Sequence, residues 1–499
     1  MTSVSKVPGA APEARGNHLL EESILPVRLG QRTISALGFV WIWIGMAVII
    51  ATFQLGANGV AGLPLPQVLL TILLANMALA VVMTLTADIG TEHGLSFAVY
   101  LRAPFGTVGT HLPAVSRGIV AAVWFGIQTY LGALAINGIV EYFTGFSAWF
   151  LWYVVFGVVQ VVNTAMGIKA VERLAAVAAP AIIAVSVWMY FTLEDLATTQ
   201  GKNIWTFAGD TPVSAFTLFV ANMAFWSALA VDIPNLTRFL KTSSGARGFV
   251  QRNRNVFLAQ FVALPVTQTF VALIGAASFI AAGDWNPITV IQGQSSGITL
   301  VVLLALVVLA QWSTNNAANL IPAALTFVNA GAPRLSYRAG VALAGVVGTL
   351  AMPWLILDNL FTFLGYYGAL LSAVGGIMIA DYYVLRRRRL NVPDLYRAHG
   401  QFRFASGVNP AGLLAWVVAG GLALWQLEYA YLVGLPVGFA VYLLLMKVWV
   451  LRGHPQAELE SGFSDEFLAT SVGKEWAYDD AGGLRGVPAG SEARVREDL

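Results

Sequence analysis

Uninterrupted apolar stretches of about 20 residues or more recur along the whole chain. At a rise of ~1.5 Å per residue, each is long enough to cross a ~30 Å hydrocarbon core as a helix. That feature restricts the chain to an all-α polytopic membrane protein, because only segments that satisfy their own backbone hydrogen bonds span a bilayer singly. Composition agrees: 57% of the 499 residues are hydrophobic and 11% are charged, against roughly 25% charged in a soluble domain. Cysteine is absent and there are five histidines, which excludes disulfides, thiolate metal sites and thiol nucleophiles and leaves little for a zinc centre. No catalytic residue and no cofactor is expected. A net charge of +2 gives no reason to expect nucleic acid as a partner. Membrane lipid is the expected surrounding.

Apolar runs bounded by Gly, Pro or charged residues predict six helices near 34–58, 66–90, 113–140, 149–168, 171–196 and 214–234. Six more are predicted near 255–281, 297–328, 337–355, 358–384, 410–427 and 430–450, making twelve, so that both ends lie on one side. Of the 28 Lys and Arg, this arrangement leaves only Lys202 in a loop opposite the N-terminus. Arg102 and Arg117, Lys169 and Arg173, the group from Arg238 to Arg254, Arg334 and Arg338, and the run Arg386 to Arg389 fall in alternate connections, which by the positive-inside rule are cytoplasmic. The opposite loops carry Glu141, Glu194, Asp195, Asp210, Asp284, Asp358 and Glu428. Both termini are therefore expected in the cytoplasm and the protein in the inner (plasma) membrane. Residues 1–32 are polar and lack the apolar core of a cleaved signal. Residues 386–408 form a basic cytoplasmic loop whose arginines read as topological anchors. The polar, Gly-rich tail 452–499 reads as poorly ordered.

Charged groups deep in a bilayer usually mark ion or substrate paths, and here the helix middles hold almost none. Asp88, Glu92, Asp232 and Asp381 fall near predicted helix ends, and no Lys or Arg is central, so a permanently charged substrate would lack a side-chain counter-ion. Uncharged polar and aromatic residues concentrate in three central segments instead: Trp124 to Gln128, Asn222 to Ser227, and Gln311 to Asn319. Trp124 lies seven residues beyond Arg117, roughly 10 Å deeper along a helix, which is too deep for an interfacial belt. Gln128 follows it by one turn on the same face. This chemistry suits a neutral, planar, hydrogen-bonding ligand, although Asn, Gln, Ser and Thr also serve as packing glue between membrane helices. Ser313 and Thr314 are hard oxygen donors that suit a sodium ion beside a broken helix. Gly45 and the β-branched run Val48, Ile49, Ile50 and Thr52, followed by Gly56, Gly59 and Gly62, supply a candidate break in the first helix.

The segments Trp124-Phe-Gly-Ile-Gln128-Thr, Arg102-Ala-Pro-Phe-Gly106, Pro113-Ala-Val-Ser-Arg117, Trp226 to Arg238 with its Asp-Ile-Pro-Asn-Leu-Thr-Arg ending, and Ser313-Thr-Asn-Asn-Ala-Ala-Asn319 together resemble the nucleobase-cation symporter-1 family. The resemblance implies the LeuT-type fold: a core over 33–385 made of two inverted five-helix repeats, about 33–197 and 212–385, with helices 1 and 6 discontinuous around a midplane site. Two peripheral helices follow at 409–451. It also implies that Trp124 and Trp226 sandwich a substrate ring, and that Gln128 and Asn319 hydrogen-bond its amide edges. Side-chain oxygens of Ser313 and Thr314 would hold sodium with the backbone carbonyls of Gly45, Val48 and Ala310. Ile49 stands where the family's hydantoin carrier has a substrate-binding glutamine, and Phe225 where it has a small residue, so both border the implied pocket.

The implied activity is import of a neutral heterocycle (allantoin, a hydantoin, or a nucleobase such as uracil) by sodium symport with alternating access. A proton-coupled nucleobase symporter is the alternative, with Asp232 and Glu92 as the nearest titrating groups. Outside this class, a channel or an integral membrane enzyme would need a continuous pore or a nucleophile, metal cluster or acid–base pair at one depth.

Overall fold

A computed structural model describes Leu19 and residues 21–460 apart from Ala208, Ser244, Arg247 and Asp358, together with 474–478 and 484–488. The readings made on residues 1–18, 461–473, 479–483 and 489–499, and on Arg247 and Asp358, lie outside the described residues.

The first membrane helix, α1, is two pieces, Ala36–Ala47 and Ile50–Val60, bent by 53° at the break. Ser35 starts it by accepting from the Gly38 N–H at 2.9 Å, which satisfies one of the orphan donors of the first turn. There follow α2 (Leu65–His93), α3 (His111–Thr144), α4 (Trp149–Ala165), α5 (Ile168–Thr199) and α6 (Ala215–Asp232). The second half holds α7 (Phe249–Ala282), α8 (Gly297–Gly331), α9 (Tyr337–Leu350), α10 (Leu360–Ile379), α11 (Pro410–Trp425) and α12 (Ala430–Leu445). Ser214, Ser336 and Asn409 cap α6, α9 and α11 in the way Ser35 caps α1. Among the described residues, eight helices are long and apolar enough to cross a membrane singly, the bent α1 makes a ninth span, and α4, α9 and α11 are shorter apolar helices.

Packing repeats with a period of five helices. The second half of α1 packs on α7 and the first on α5; in the same way α6 packs on α2 and on α10. Helix α3 packs on α8 and α9, and α8 in turn touches α4. Helices α11 and α12 stand outside this pattern, against α10 and each other. The perimeter is greasy, with Leu70, Phe150, Val158 and Trp425 more than half exposed, as lipid-facing surfaces require.

The α1–α7 crossing has no room for side chains. A Cβ on Gly56 would lie 2.0 Å from the Ala272 carbonyl oxygen, and one on Gly275 would lie 2.0 Å from that of Phe53. Gly275→Leu is therefore expected to prevent assembly of the bundle, since the obstructing atoms are backbone and cannot rotate away. Loss of the monodisperse, cooperatively melting species in detergent would register this, whereas Gly421→Leu, with nothing within 4 Å of its Cβ, should melt like the parent.

The break in α1 falls within the β-branched run, as expected, at Val48 (ψ 64°) and Ile49 (ψ 148°); Gly56 serves close packing. One expectation is corrected: helix α6 is continuous from Ala215 to Asp232, because the segment has no Gly or Pro to open its ladder. In the tail, Lys474–Tyr478 pairs antiparallel with Leu484–Pro488. Arg386 is buried, bound to Asp381 at 2.8 Å and to Glu458, whose segment it thereby fastens to the end of α10.

The other arginines at that end of the bundle are also structural. Arg252 forks onto Asp88 at 2.6 and 2.8 Å and reaches Glu92. Arg102 donates to Asn329 Oδ1 and to the carbonyls of Leu19 and Leu395, and Arg238 donates to the Ser23 carbonyl. Burial pushes Arg102 and Arg238 down to about 10, so both stay charged at neutral pH and fasten the segment around residues 19–24 to the bundle.

Candidate functional site

A small cavity of about 30 Å³ lies where α1, α3, α6 and α8 meet, lined by residues that include Met46, Ile49, Trp124, Gln128, Phe225, Trp226 and Asn319. All six residues expected at the substrate site thus border one space. The two tryptophans do not face each other across an open slot. Phe225 stands between them, edge-on to Trp124 at 5.7 Å and to Trp226 at 5.2 Å between centroids. Trp43, which the sequence did not single out, packs on the other side of Trp226 at 6.1 Å.

Hydrogen bonds fix the aromatic walls. The Trp226 indole N–H donates to Gln268 Oε1 at 2.7 Å; Gln268 donates to Asn222 Oδ1 at 2.9 Å, and Asn222 to Asn76 Oδ1 at 3.0 Å. This relay crosses from α6 to α7 and α2, so the indole plane is set by three helices. The Tyr367 hydroxyl, from α10, donates to the Phe225 carbonyl.

A second chain of amides orients the α8 wall. Asn315 Nδ2 donates to the Phe125 carbonyl, to Thr129 Oγ1 and to Gln160 Oε1, at 2.8 to 3.1 Å. A backbone carbonyl only accepts, so the Asn315 amide cannot be reversed, and its Oδ1 receives Asn319 Nδ2 at 2.7 Å. Asn319 therefore keeps its carbonyl oxygen and its second N–H for a ligand. Gln128 Oε1 is buried and unpartnered. Both amides border the cavity with acceptor capacity unused, which packing glue would not leave. Asn316–Leu320 is a π-helical turn, a distortion frequent at functional sites.

The residues expected to hold an ion meet at the break in α1. Ending the helix at Ala47 strips its last carbonyls of their i+4 donors. Thr314 Oγ1 donates to the Gly45 carbonyl at 2.5 Å, and a Cβ on Gly45 would sit 3.4 Å from Ser313 Oγ. Val48 and Ala310 together border an adjoining cavity with Gln311. An oxygen-rich crossing of this kind matches the hard-donor preference of a small monovalent cation. Among the described residues, no group of His, Asp or Glu is arranged to hold a metal ion.

One charged residue was misplaced by the sequence reading. Arg117 is not a flank anchor: its guanidinium is buried, borders the cavity, and pairs with Asp232 at 2.9 Å. The cavity does hold a cation, then, but one already neutralised by a carboxylate.

A bilayer-spanning bundle with a broken helix, a five-helix packing repeat and a central cavity defines a membrane transporter. The sequence matches the family described as permease for cytosine/purines, uracil, thiamine, allantoin over residues 26–451, and the chain belongs to that family. It is 30% identical over 465 residues to the hydantoin permease of Microbacterium maritypicum, covering 92% of this chain and 95% of that one. With the purine-uracil permease of Arabidopsis thaliana it shares 31% over 428 residues, 80% of this chain and 70% of that. Among solved structures it superposes with a TM-score of 0.82, at 30% identity, on Mhp1, a nucleobase-cation-symport-1 family transporter in a closed conformation with bromovinylhydantoin bound, covering 89% of this chain and 98% of that one. The architecture is thus the LeuT-type one, two five-helix repeats with peripheral helices beyond them, and a count of twelve is consistent with it. These relatives are permeases, and the chain is a transporter rather than an enzyme.

Proposed function

We propose that the protein imports a neutral heterocycle, such as allantoin, a hydantoin or uracil, by sodium symport across the plasma membrane, with both termini cytoplasmic. The observation that carries this is the cavity wall: aromatic faces held by a hydrogen-bond relay, beside two amides whose acceptors are unused. A flat ring bearing N–H groups satisfies both at once. The Arg117–Asp232 pair carries no net charge, which favours a neutral ring over an ion.

Sodium at the α1–α8 crossing would be held by Ser313, Thr314 and the carbonyls of Gly45, Val48 and Ala310. Thr314 would turn its hydroxyl oxygen from the Gly45 carbonyl to the ion, and the break in α1 would be drawn toward α8. The same stretch of α1 carries Ile49 into the substrate cavity, so the two sites share a backbone segment. Occupation of one therefore biases the other, and the coupling must be reciprocal.

Initial-rate uptake into proteoliposomes tests this, using allantoin, a 5-substituted hydantoin, uracil, cytosine and a purine base, each under an inward sodium or proton gradient. Saturable uptake of one ring under the sodium gradient is expected. Uptake unchanged when choline replaces sodium would overturn the sodium part, and dependence on the proton gradient would assign the coupling to protons. Transport of none of the rings under either gradient would overturn the substrate class.

A further inference from the structure

The floor of the cavity is built from Arg117, Ala228, Leu229 and Ala318. Arg117 is the single polar side chain among these four. Its Nε donates to the Ala228 carbonyl, and Nη2 donates to the Ala318 carbonyl, each at 3.2 Å; Nη2 also meets Asp232. These anchors come from α6 and α8, so the guanidinium plane is held from both sides. Nη1 is buried and has no partner. A buried guanidinium with one nitrogen left over, in a floor otherwise apolar, is a donor awaiting an acceptor.

The remaining polar wall can accept as well as donate. Asn319 keeps its carbonyl oxygen and one N–H, and Gln128 Oε1 is unpartnered. With a guanidinium N–H on the floor, these groups are complementary to a ring in which N–H groups flank a carbonyl. Asp232 keeps Arg117 from acting as a free charge, so an anion gains little from that floor.

We propose that Arg117 is a specificity-determining residue of this transporter, whose Nη1 donates to an exocyclic carbonyl oxygen of the ring. The carrier therefore selects neutral imide- or ureide-type rings, in which a carbonyl lies between or beside N–H groups. This rests on the heterocycle reading above. Within that reading it singles out rings with a carbonyl directed to the floor, and it assigns Asp232 to positioning the guanidinium.

Ligand binding to the purified full-length protein, followed by quenching of tryptophan fluorescence, tests the contact by pairing each oxo ring with its thio analogue. The pairs are uracil with 2-thiouracil and 4-thiouracil, and hydantoin with 2-thiohydantoin and 4-thiohydantoin. Sulfur is a poor acceptor, so the parent protein is expected to prefer the oxo form at one ring position by about tenfold, the worth of one hydrogen bond. Arg117→Met should erase that preference, weakening the oxo ring about tenfold and the thio ring little. Asp232→Asn retains the guanidinium and should keep a preference at the same position.

A purely structural role for Arg117 predicts that oxo and thio rings weaken equally in Arg117→Met, which would overturn the proposal. If Arg117→Met does not fold because Asp232 is left buried and unpaired, the double variant with Asp232→Asn removes that charge. The parent protein decides in any case: equal affinity for oxo and thio forms at every position overturns the contact. Failure of the parent to bind any ring overturns the heterocycle reading itself, and the two failures are thus distinct.

Discussion

Asn319→Ala is expected to weaken ring binding by up to about a hundredfold in a protein that still inserts, purifies and melts close to the parent. The two effects separate by magnitude. Interhelical hydrogen bonds in membrane proteins contribute on average only about 0.6 kcal/mol, and the bond lost here joins residues one turn apart on α8. A ligand N–H left without an acceptor costs about 1–3 kcal/mol, which amounts to about fivefold to 150-fold in affinity. Trp124→Ala should be more severe, since stacking on an indole contributes about 1–3 kcal/mol per ring and Phe225 loses the edge-on partner that fixes it. Calorimetric or fluorescence titration beside a melting curve checks both variants. Two variants that bind as the parent does would mean that this cavity is not the substrate site.

The residues that touch the cavity were legible in the sequence because they are chemically out of place there. An indole ten ångströms inside an apolar run and six polar residues clustered in one membrane helix have few bland explanations, and their motifs match a family. The residues that hold them were not legible. Gln268, Asn76 and Gln160 lie in three different helices, and only the tertiary crossings bring the first two into the Trp226 relay and the third against Asn315. Arg117 was misjudged because α3 begins at His111 and Arg117 sits near its start, where a basic residue normally reaches the headgroups. Instead the end of α6, through Ala228 and Asp232, and the Ala318 carbonyl of α8 enclose it. The break in α1 was legible, because the β-branched run from Val48 favours extended backbone, which Ile49 adopts. A break in α6 was implied by the family resemblance and lacks any local cause; the chain is continuous there.

Thr314→Val is expected to uncouple the two ligands. The substitution keeps the branched shape and removes the hydroxyl that meets the Gly45 carbonyl, so the half-saturating sodium concentration should rise by at least about tenfold, the worth of one oxygen ligand to a charged partner. Reciprocity then demands that substrate affinity lose its response to sodium, while the affinity measured in choline stays at the parent value. Ser313→Ala should act in the same direction. Titration of ring binding at fixed sodium and choline concentrations separates this from damage to the substrate cavity, which would lower affinity in both salts alike. Parent-like sodium dependence in both variants would place the ion elsewhere.

The π-helical turn at Asn316–Leu320 acts as a phase shift in α8. Each residue advances a helix by about 100°, so one additional residue within a turn rotates everything that follows relative to everything before it. Upstream of the turn, α8 turns Thr314 toward the α1 break; at the turn's end, Asn319 and Leu320 look to the cavity and to the α3 and α9 packing layer respectively. In a regular helix no single phase would serve the ion oxygens, the ring acceptor and the downstream packing face together. Deleting one residue from 316–320 would restore regularity at the cost of this alignment, setting the ion site and the ring site on mismatched faces. The irregular turn is thus what allows one rod to address two ligands, and it makes the spacing between Thr314 and Asn319 less tolerant of change than the identity of the residues between them.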